Sequence, residues 1–283
     1  MVSNTGLIYA MLSAVLWAAY GLLARGLSVR SDSPLAFSVL YMFFGALFSL
    51  PFLVIAPGEF QGITKTVLAA TFIMTVLYGI VDATQFFARK YLEASRMTVL
   101  FQLTPLITFA ASLLLLNESV TPGKLAGVGF IMGGNLVAVY KHGGNVTPRG
   151  LAWALTAAIA LGLVYIADKV AFSHYPLGFY MTISYLVPAL YILFFVRDRL
   201  TSLRNEWQLA SWRIPILSLL SVLGYYFFLK AFSLTEASVV VPVAFTSTIL
   251  IALGGIILLH ERSSIIQKLI GAVFVFIGVN LLR

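Results

Sequence analysis

The 283-residue chain has no cysteine, three histidines and ten acidic residues. Without cysteine there are no disulfides, no thiolate chemistry and no cysteine-based metal sites, and redox state says nothing about compartment. His142, His174 and His260 stand in or beside expected loops, and no His-Glu-x-x-His sequence occurs. Neither a metal centre nor a cofactor is therefore expected. Charge of either sign is scarce: Asp, Glu, Lys and Arg together make 10% of the chain, against about 25% in a typical soluble domain. The net charge of +8 does not point to nucleic acid, because the basic residues come one to four at a time between apolar runs. Nucleic-acid binders cluster them on a polar face; here they sit where loop charges of a membrane protein sit. A basic segment ahead of the first apolar run is also missing, since the first Lys or Arg is Arg25. No cleavable signal peptide is expected.

What the chain has in abundance is apolar sequence: 60% of its residues are hydrophobic and the mean hydropathy is +0.99. Crossing the hydrocarbon takes about 20 apolar residues in a helix. Ten such stretches can be marked, near 5–25, 34–56, 66–89, 95–116, 124–140, 150–169, 177–196, 212–232, 237–259 and 265–282. The remaining connections are short, the longest being Ala56–Lys65, Lys141–Arg149 and Arg197–Ser211. The expected protein is all-α and integral to the membrane, in contact with the lipid bilayer.

The two halves resemble each other. Glu93-Ala94-Ser95 is repeated 143 residues later as Glu236-Ala237-Ser238, and Glu118 recurs at the same offset as Glu261. Lys124-Leu125-Ala126-Gly127 matches Lys268-Leu269-Ile270-Gly271, and Gly6-Leu7 matches Gly150-Leu151. The division is a first five-helix repeat over 1–140, a linker over 141–149 and a second repeat over 150–283. Such duplication is a feature of transporters, and an odd number of helices per half inverts the second copy in the membrane. Thirteen Lys and Arg fall in the connections after helices 1, 3, 5, 7 and 9, against five on the other side. By the positive-inside rule both termini lie outside.

Ten helices in two inverted five-helix repeats resemble the drug/metabolite transporter superfamily, EamA type. The resemblance is carried by Trp17, by Glu93-Ala94-Ser95 through Pro105 to Asn117-Glu118 and Gly127, and by Glu236-Ala237-Ser238 to His260-Glu261 and Gly271. It implies a secondary transporter, commonly an exporter of amino acids or related metabolites, with a central cavity between the repeats. It also implies cytoplasmic termini, opposite to the charge count. The second half has Pro242 but no match for Pro105, since position 248 is Thr.

Ionisable groups inside a span cost roughly 2.5–3.5 kcal/mol at the helix centre and so tend to face a wet cavity. Asp82 is the leading candidate. Tyr78, Asp82, Gln85 and Arg89 stand at i, i+4, i+7 and i+11, one helical stripe extended by Thr71. The rival reading has Asp82 pairing with Gln85 to lock packing. Tyr9, Ser13, Trp17 and Tyr20 share a face of helix 1, where Trp17 and Tyr20 could stack on a substrate. Thr98, Gln102 and Pro105 share a face of helix 4, where Gln102 could meet the substrate; Pro105 frees the Phe101 carbonyl to bind a substrate or make a hinge, or simply kinks the helix. Tyr225 occupies in helix 8 the place of Asp82 in helix 3, so acid-dependent chemistry is assigned to the first half. Glu118 is expected in solvent or beside a basic neighbour such as Lys124, and Gly123, Gly127, Gly129 and Gly133 as a close-approach surface of the GxxxG kind.

Together these residues suggest alternating access around a midplane site. Asp82 would hold an ammonium or a coupling proton, and Arg89 a carboxylate. An amino acid or amine fits better than a phosphorylated sugar, which would call for several Lys or Arg deep in the spans. An intramembrane lipid-modifying enzyme or a non-transporting scaffold is the rival; the reactive cluster an enzyme needs is not in evidence. A monomer in a plasma membrane of bacterial or archaeal type is expected.

Overall fold

The computed structural model describes residues 3–28, 30–92, 94–139, 147–251, 253 and 265–282. Most of the linker, Glu93, and the ninth stretch beyond Leu253 with His260 and Glu261 lie outside the described residues, as do the side chains of Ser95 and Thr98.

The expected apolar stretches are helical over most of their described residues, the second breaking after Ser49 before a short turn of helix at Phe52–Ile55. They are α1 (Asn4–Ser28), α2 (Pro34–Ser49), α3 (Lys65–Tyr91), α4 in two pieces (Ala94–Phe101 and Leu103–Leu115) and α5 (Pro122–Val139). The second repeat has α6 (Pro148–Ala171), α7 (Leu177–Phe195), α8 (Arg213–Leu234), α9 (Ala237–Ala244, continuing past a turn at Phe245–Thr246 to Ile251) and α10 (Ile265–Leu281). Among the described residues seven are long and apolar enough to cross a membrane; the apolar parts of α4, α9 and α10 are shorter. Polar residues start the helices where the sequence supplies caps. Ser33 and Thr64 accept the backbone N–H of Ala36 and Val67, and Thr147 accepts that of Gly150. Pro34 and Pro148 occupy first-turn positions that need no N–H donor. The connection Arg197–Ser211 is not simply a polar loop. It contains the helix Arg199–Ala210, held on the start of α2 by Glu206 accepting from Ser33 N–H at 2.6 Å and by Trp207 stacked on Phe44. Burial pushes the Glu206 carboxyl above its ordinary value, against the opposing pull of the Ser33 N–H.

The packing keeps the symmetry of the repeat. Exchanging α1–α5 with α6–α10 turns the α1/α8 contact into α6/α3, α4/α6 into α9/α1 and α2/α8 into α7/α3. The contacts α2/α7, α4/α9 and α5/α10 map onto themselves, and all of these pairs are packed. Both repeats therefore contribute equally to one interface. Large apolar side chains such as Phe72, Leu114, Phe194 and Phe276 face outward, a surface suited to lipid rather than water.

The α5/α10 seam brings two helix backbones close together. A Cβ placed on Gly134 would lie 2.6 Å from the Gly271 carbonyl oxygen, and one on Gly271 2.5 Å from that of Gly134. Gly127 and Gly278 oppose each other in the same way. The glycines in use are thus seven apart, 127 with 134 and 271 with 278, as along a left-handed crossing. Gly129 and Gly133 have nothing within 4 Å of a Cβ, while Gly123, four residues before Gly127, meets the Leu281 carbonyl oxygen at 3.2 Å, so the expected four-residue spacing packs at 123/127 and not at 129/133.

Glu118 also departs from expectation. Its two oxygens accept the Ala237 and Ser238 N–H groups at 2.7 and 2.9 Å, capping α9 from the opposite repeat. Lys124 pairs with Glu236 and donates to the Ser119 carbonyl, and Lys169 donates to the carbonyls of Phe232 and Thr235. The turn between α8 and α9 is held at both ends: a carboxylate meets free N–H donors and an ammonium meets free carbonyls. Glu118→Ala is expected to lower stability by about 1–2 kcal/mol. Glu118→Gln, keeping one acceptor oxygen, is expected to fall between it and wild type in thermal unfolding of the purified protein. Equal melting of all three would mean that water caps α9 as well as Glu118 does.

Candidate functional site

The polar stripe of α3 meets the second repeat at Thr71 and Tyr78. Tyr78 reaches α6, where its hydroxyl donates to Asp168 Oδ2 at 2.7 Å. One turn further, Asp82 is 6% exposed and accepts a hydrogen bond from Gln85 Nε2. That burial keeps Asp82 away from lipid. The bond to Gln85 is the one named by the packing alternative; it fills one of about four acceptor positions on the carboxylate. Arg89 ends the stripe. Its guanidinium lies 5.3 Å from the Phe86 ring centre and 5.7 Å from that of Tyr20, an attractive placement for a cation, and Nη1 is buried with no hydrogen-bond partner.

The ring neighbours run through five helices. Tyr20 of α1 lies 5.8 Å from Tyr41 of α2, which lies 6.2 Å from Tyr185 of α7. Tyr185 lies 6.1 Å from Tyr225 of α8, which lies 5.9 Å from Tyr78 of α3. Ser221 ties the middle of this chain, sharing hydrogen bonds of 2.5 Å with Tyr41 and 2.9 Å with Tyr185. Trp17 packs 5.0 Å from Phe228 and stacks on Tyr165 at 6.4 Å. Its indole occupies the space left by Gly224, where a Cβ would come within 2.6 Å. Tyr9 stacks on Phe227, apart from this chain.

The residue that sequence reasoning missed is Asp168. It is fully buried and accepts three phenols: Tyr180 and Tyr225 on Oδ1, at 2.8 and 3.0 Å, and Tyr78 on Oδ2. The second repeat therefore does carry a buried acid, and the assignment of acid-dependent chemistry to the first half alone is corrected. The expected span ends near 169, with Asp168 at its edge. The helix runs on to Ala171 and a further turn, Phe172–His174, which puts Asp168 inside. The signal available was Tyr165 and Asp168 at i and i+3.

Gln102 belongs to a different cluster. Its Nε2 donates to Thr248 at 2.9 Å, its Oε1 accepts from Asn135 at 3.2 Å, and Asn135 also donates to the Phe245 carbonyl. These bonds gather α4, α5 and α9 where α4 and α9 both break, at Gln102 and at Phe245–Thr246. Each break carries a bond to the carbonyl three residues back, Gln102 N to Val99 O and Thr246 N to Val243 O. The breaks fall at equivalent places in the repeats although Pro105 follows one and Pro242 precedes the other. Either proline removes a donor within a turn of the break.

Membrane-crossing helices in two exchange-related repeats, with buried ionisable groups on α3 and α6, fit a membrane transporter of the drug/metabolite class. The chain belongs to the EamA-like transporter family, whose model matches residues 4–140 and again 148–283. No curated protein matches it. One solved structure, described only as "Crystal structure of protein", superposes with a TM-score of 0.76 over 100% of this chain and 97% of the other. At 14% identity that likeness speaks for the fold.

Proposed function

We propose that the chain is a secondary transporter that exports or exchanges a small organic solute bearing an amino group, an amino acid or an amine, by alternating access of its two repeats. The observation that carries this reading is where the costly groups lie. Asp82 and Arg89 lie on α3 and Asp168 on α6, two membrane-crossing helices of opposite repeats that pack together, although each charge in a span costs several kcal/mol unless paired or wetted. Asp82 and Gln85 offer acceptors to an ammonium, and the unpartnered Nη1 of Arg89 offers a donor to a carboxylate. Trp17, Tyr20, Tyr78 and Tyr225 supply aromatic faces for the remainder of the solute. Gln102 then serves the hinge rather than the solute: with Pro105 it marks the break in α4, paired with that in α9, where each helix can bend. A proton is the proposed coupling ion, a monomer in a plasma membrane of bacterial or archaeal type the proposed working unit.

Counterflow in proteoliposomes tests the substrate class. Vesicles preloaded with unlabelled amino acids or amines are expected to take up the matching radiolabelled compound faster than protein-free vesicles, and sugar phosphates are expected to give no such stimulation. Exchange confined to sugar phosphates or neutral sugars would overturn the assignment.

A further inference from the structure

We infer that Asp168 is a proton-binding site that loosens the joint between the repeats when it is filled, an inference that rests on the transport reading above and names its coupling group. Asp168 is 0% exposed, and three of its four acceptor positions are taken by phenol hydroxyls. An organic cation would have to displace a tyrosine to reach it. A proton needs no such room.

The three bonds are not equivalent. Tyr180 and Tyr225 belong to the same repeat as Asp168 and fill both positions on Oδ1. Tyr78 belongs to the first repeat and fills one position on Oδ2. The open position is therefore on Oδ2. A hydronium ion of the bulk water gives its proton to that position: an O–H bond of the hydronium breaks, one forms on Oδ2, water is released, and Oδ2 changes from a carboxylate oxygen to a carboxyl hydroxyl, a weaker acceptor. The bond that suffers is the one from Tyr78, one of the ties between the repeats. Proton loss restores it. A hydrogen bond to a charged acceptor is worth about twice one to a neutral acceptor, so charge on Asp168 is linked to how firmly α3 holds α6.

The titratable groups around Asp168 are few. From α3 come Tyr78 and Asp82, from α7 Tyr180, from α8 Tyr225, and from its own helix Tyr165 and Lys169. The ammonium of Lys169 is turned to the carbonyls of Phe232 and Thr235. The stretches Leu103–Leu115 of α4 and Ala237–Ala244 of α9 contain no titratable side chain, and Arg96 on the first piece of α4 has its side chain outside the described residues.

Two measurements test the inference. Infrared difference spectra of the purified protein between acid and neutral pH need no substrate. Wild type is expected to show a protonated-carboxyl band that disappears in Asp168→Asn and persists in Asp82→Asn. In proteoliposomes, an imposed pH gradient is expected to drive accumulation of a radiolabelled amino acid or amine in wild type. Asp168→Asn is expected to reduce that gradient-driven accumulation by about tenfold while still exchanging label by counterflow, a split that a merely structural role would not give. Tyr78→Phe, which leaves the carboxyl with its other two partners, keeps the test open should Asp168→Asn not fold. It is expected to move the band and to lower gradient-driven accumulation. A spectrum with no Asp168-dependent band, or accumulation in Asp168→Asn that follows the gradient as in wild type, overturns the inference. Should no solute exchange in wild type, the transport reading fails, and the infrared band still decides whether Asp168 binds a proton.

Discussion

Replacing Asp82 with asparagine is expected to lower counterflow by about tenfold to a hundredfold while leaving the melting temperature close to that of wild type. Asparagine has nearly the same shape and keeps an oxygen to accept from Gln85, so the packing bond survives. What it loses is the charge. A hydrogen bond to a charged group is worth about 1.5–3 kcal/mol, which corresponds to about ten- to a hundredfold in binding. The same pair of measurements separates solute binding from packing. A variant that transports at the full rate but melts earlier would make Asp82 and Gln85 a structural pair, and the ammonium would have to be held elsewhere. Thermal unfolding and radiolabel exchange on one preparation give both readings.

The second large effect concerns stability. Gly134→Val or Gly271→Val is expected to cost about 3 kcal/mol, at the upper end of the usual range for overpacking, because each added side chain would meet the backbone of the facing helix. Backbone cannot rotate aside as a flexible side chain can. The helices must separate along the whole seam, and the Gly127/Gly278 contact opens with them. Gly129→Ala is the internal comparison. Nothing lies within 4 Å of a Cβ there, and alanine favours a helix over glycine by about 1 kcal/mol, so this variant should be neutral or slightly more stable. Equal melting of all three variants would remove the seam from the account of stability.

The parts of this molecule that the sequence makes plain are those written in hydropathy and in repetition. Apolar runs of spanning length identify the helices, and the recurrence of Glu93-Ala94-Ser95 and Lys124-Leu125-Ala126-Gly127 identifies the duplication. The stripe on α3 was readable because Tyr78, Asp82, Gln85 and Arg89 lie on one uninterrupted helix, where spacing fixes direction. Gln102 was placed by the same rule and joined a different cluster, because the helix breaks at that residue. Contacts between repeats leave no periodic trace: nothing in the order of residues tells that Glu118 caps α9 or that three tyrosines from three helices meet at Asp168. The glycine register has the same origin: of the glycines on α5, the facing helix meets 123, 127 and 134 and leaves 129 and 133 unused.

The seam between α5 and α10 carries a consequence for how the chain is put together. Gly127 with Gly278 and Gly134 with Gly271 exchange places when the halves are swapped, so the contact is isologous, of the kind that joins identical subunits, drawn here within a single polypeptide. The fit is written into each half separately and owes nothing to the linker, whose covalent role is to guarantee one copy of each half per molecule. With that ratio fixed, the halves are free to differ: one holds a carboxylate where the other holds Tyr225, and a symmetric scaffold carries an asymmetric site.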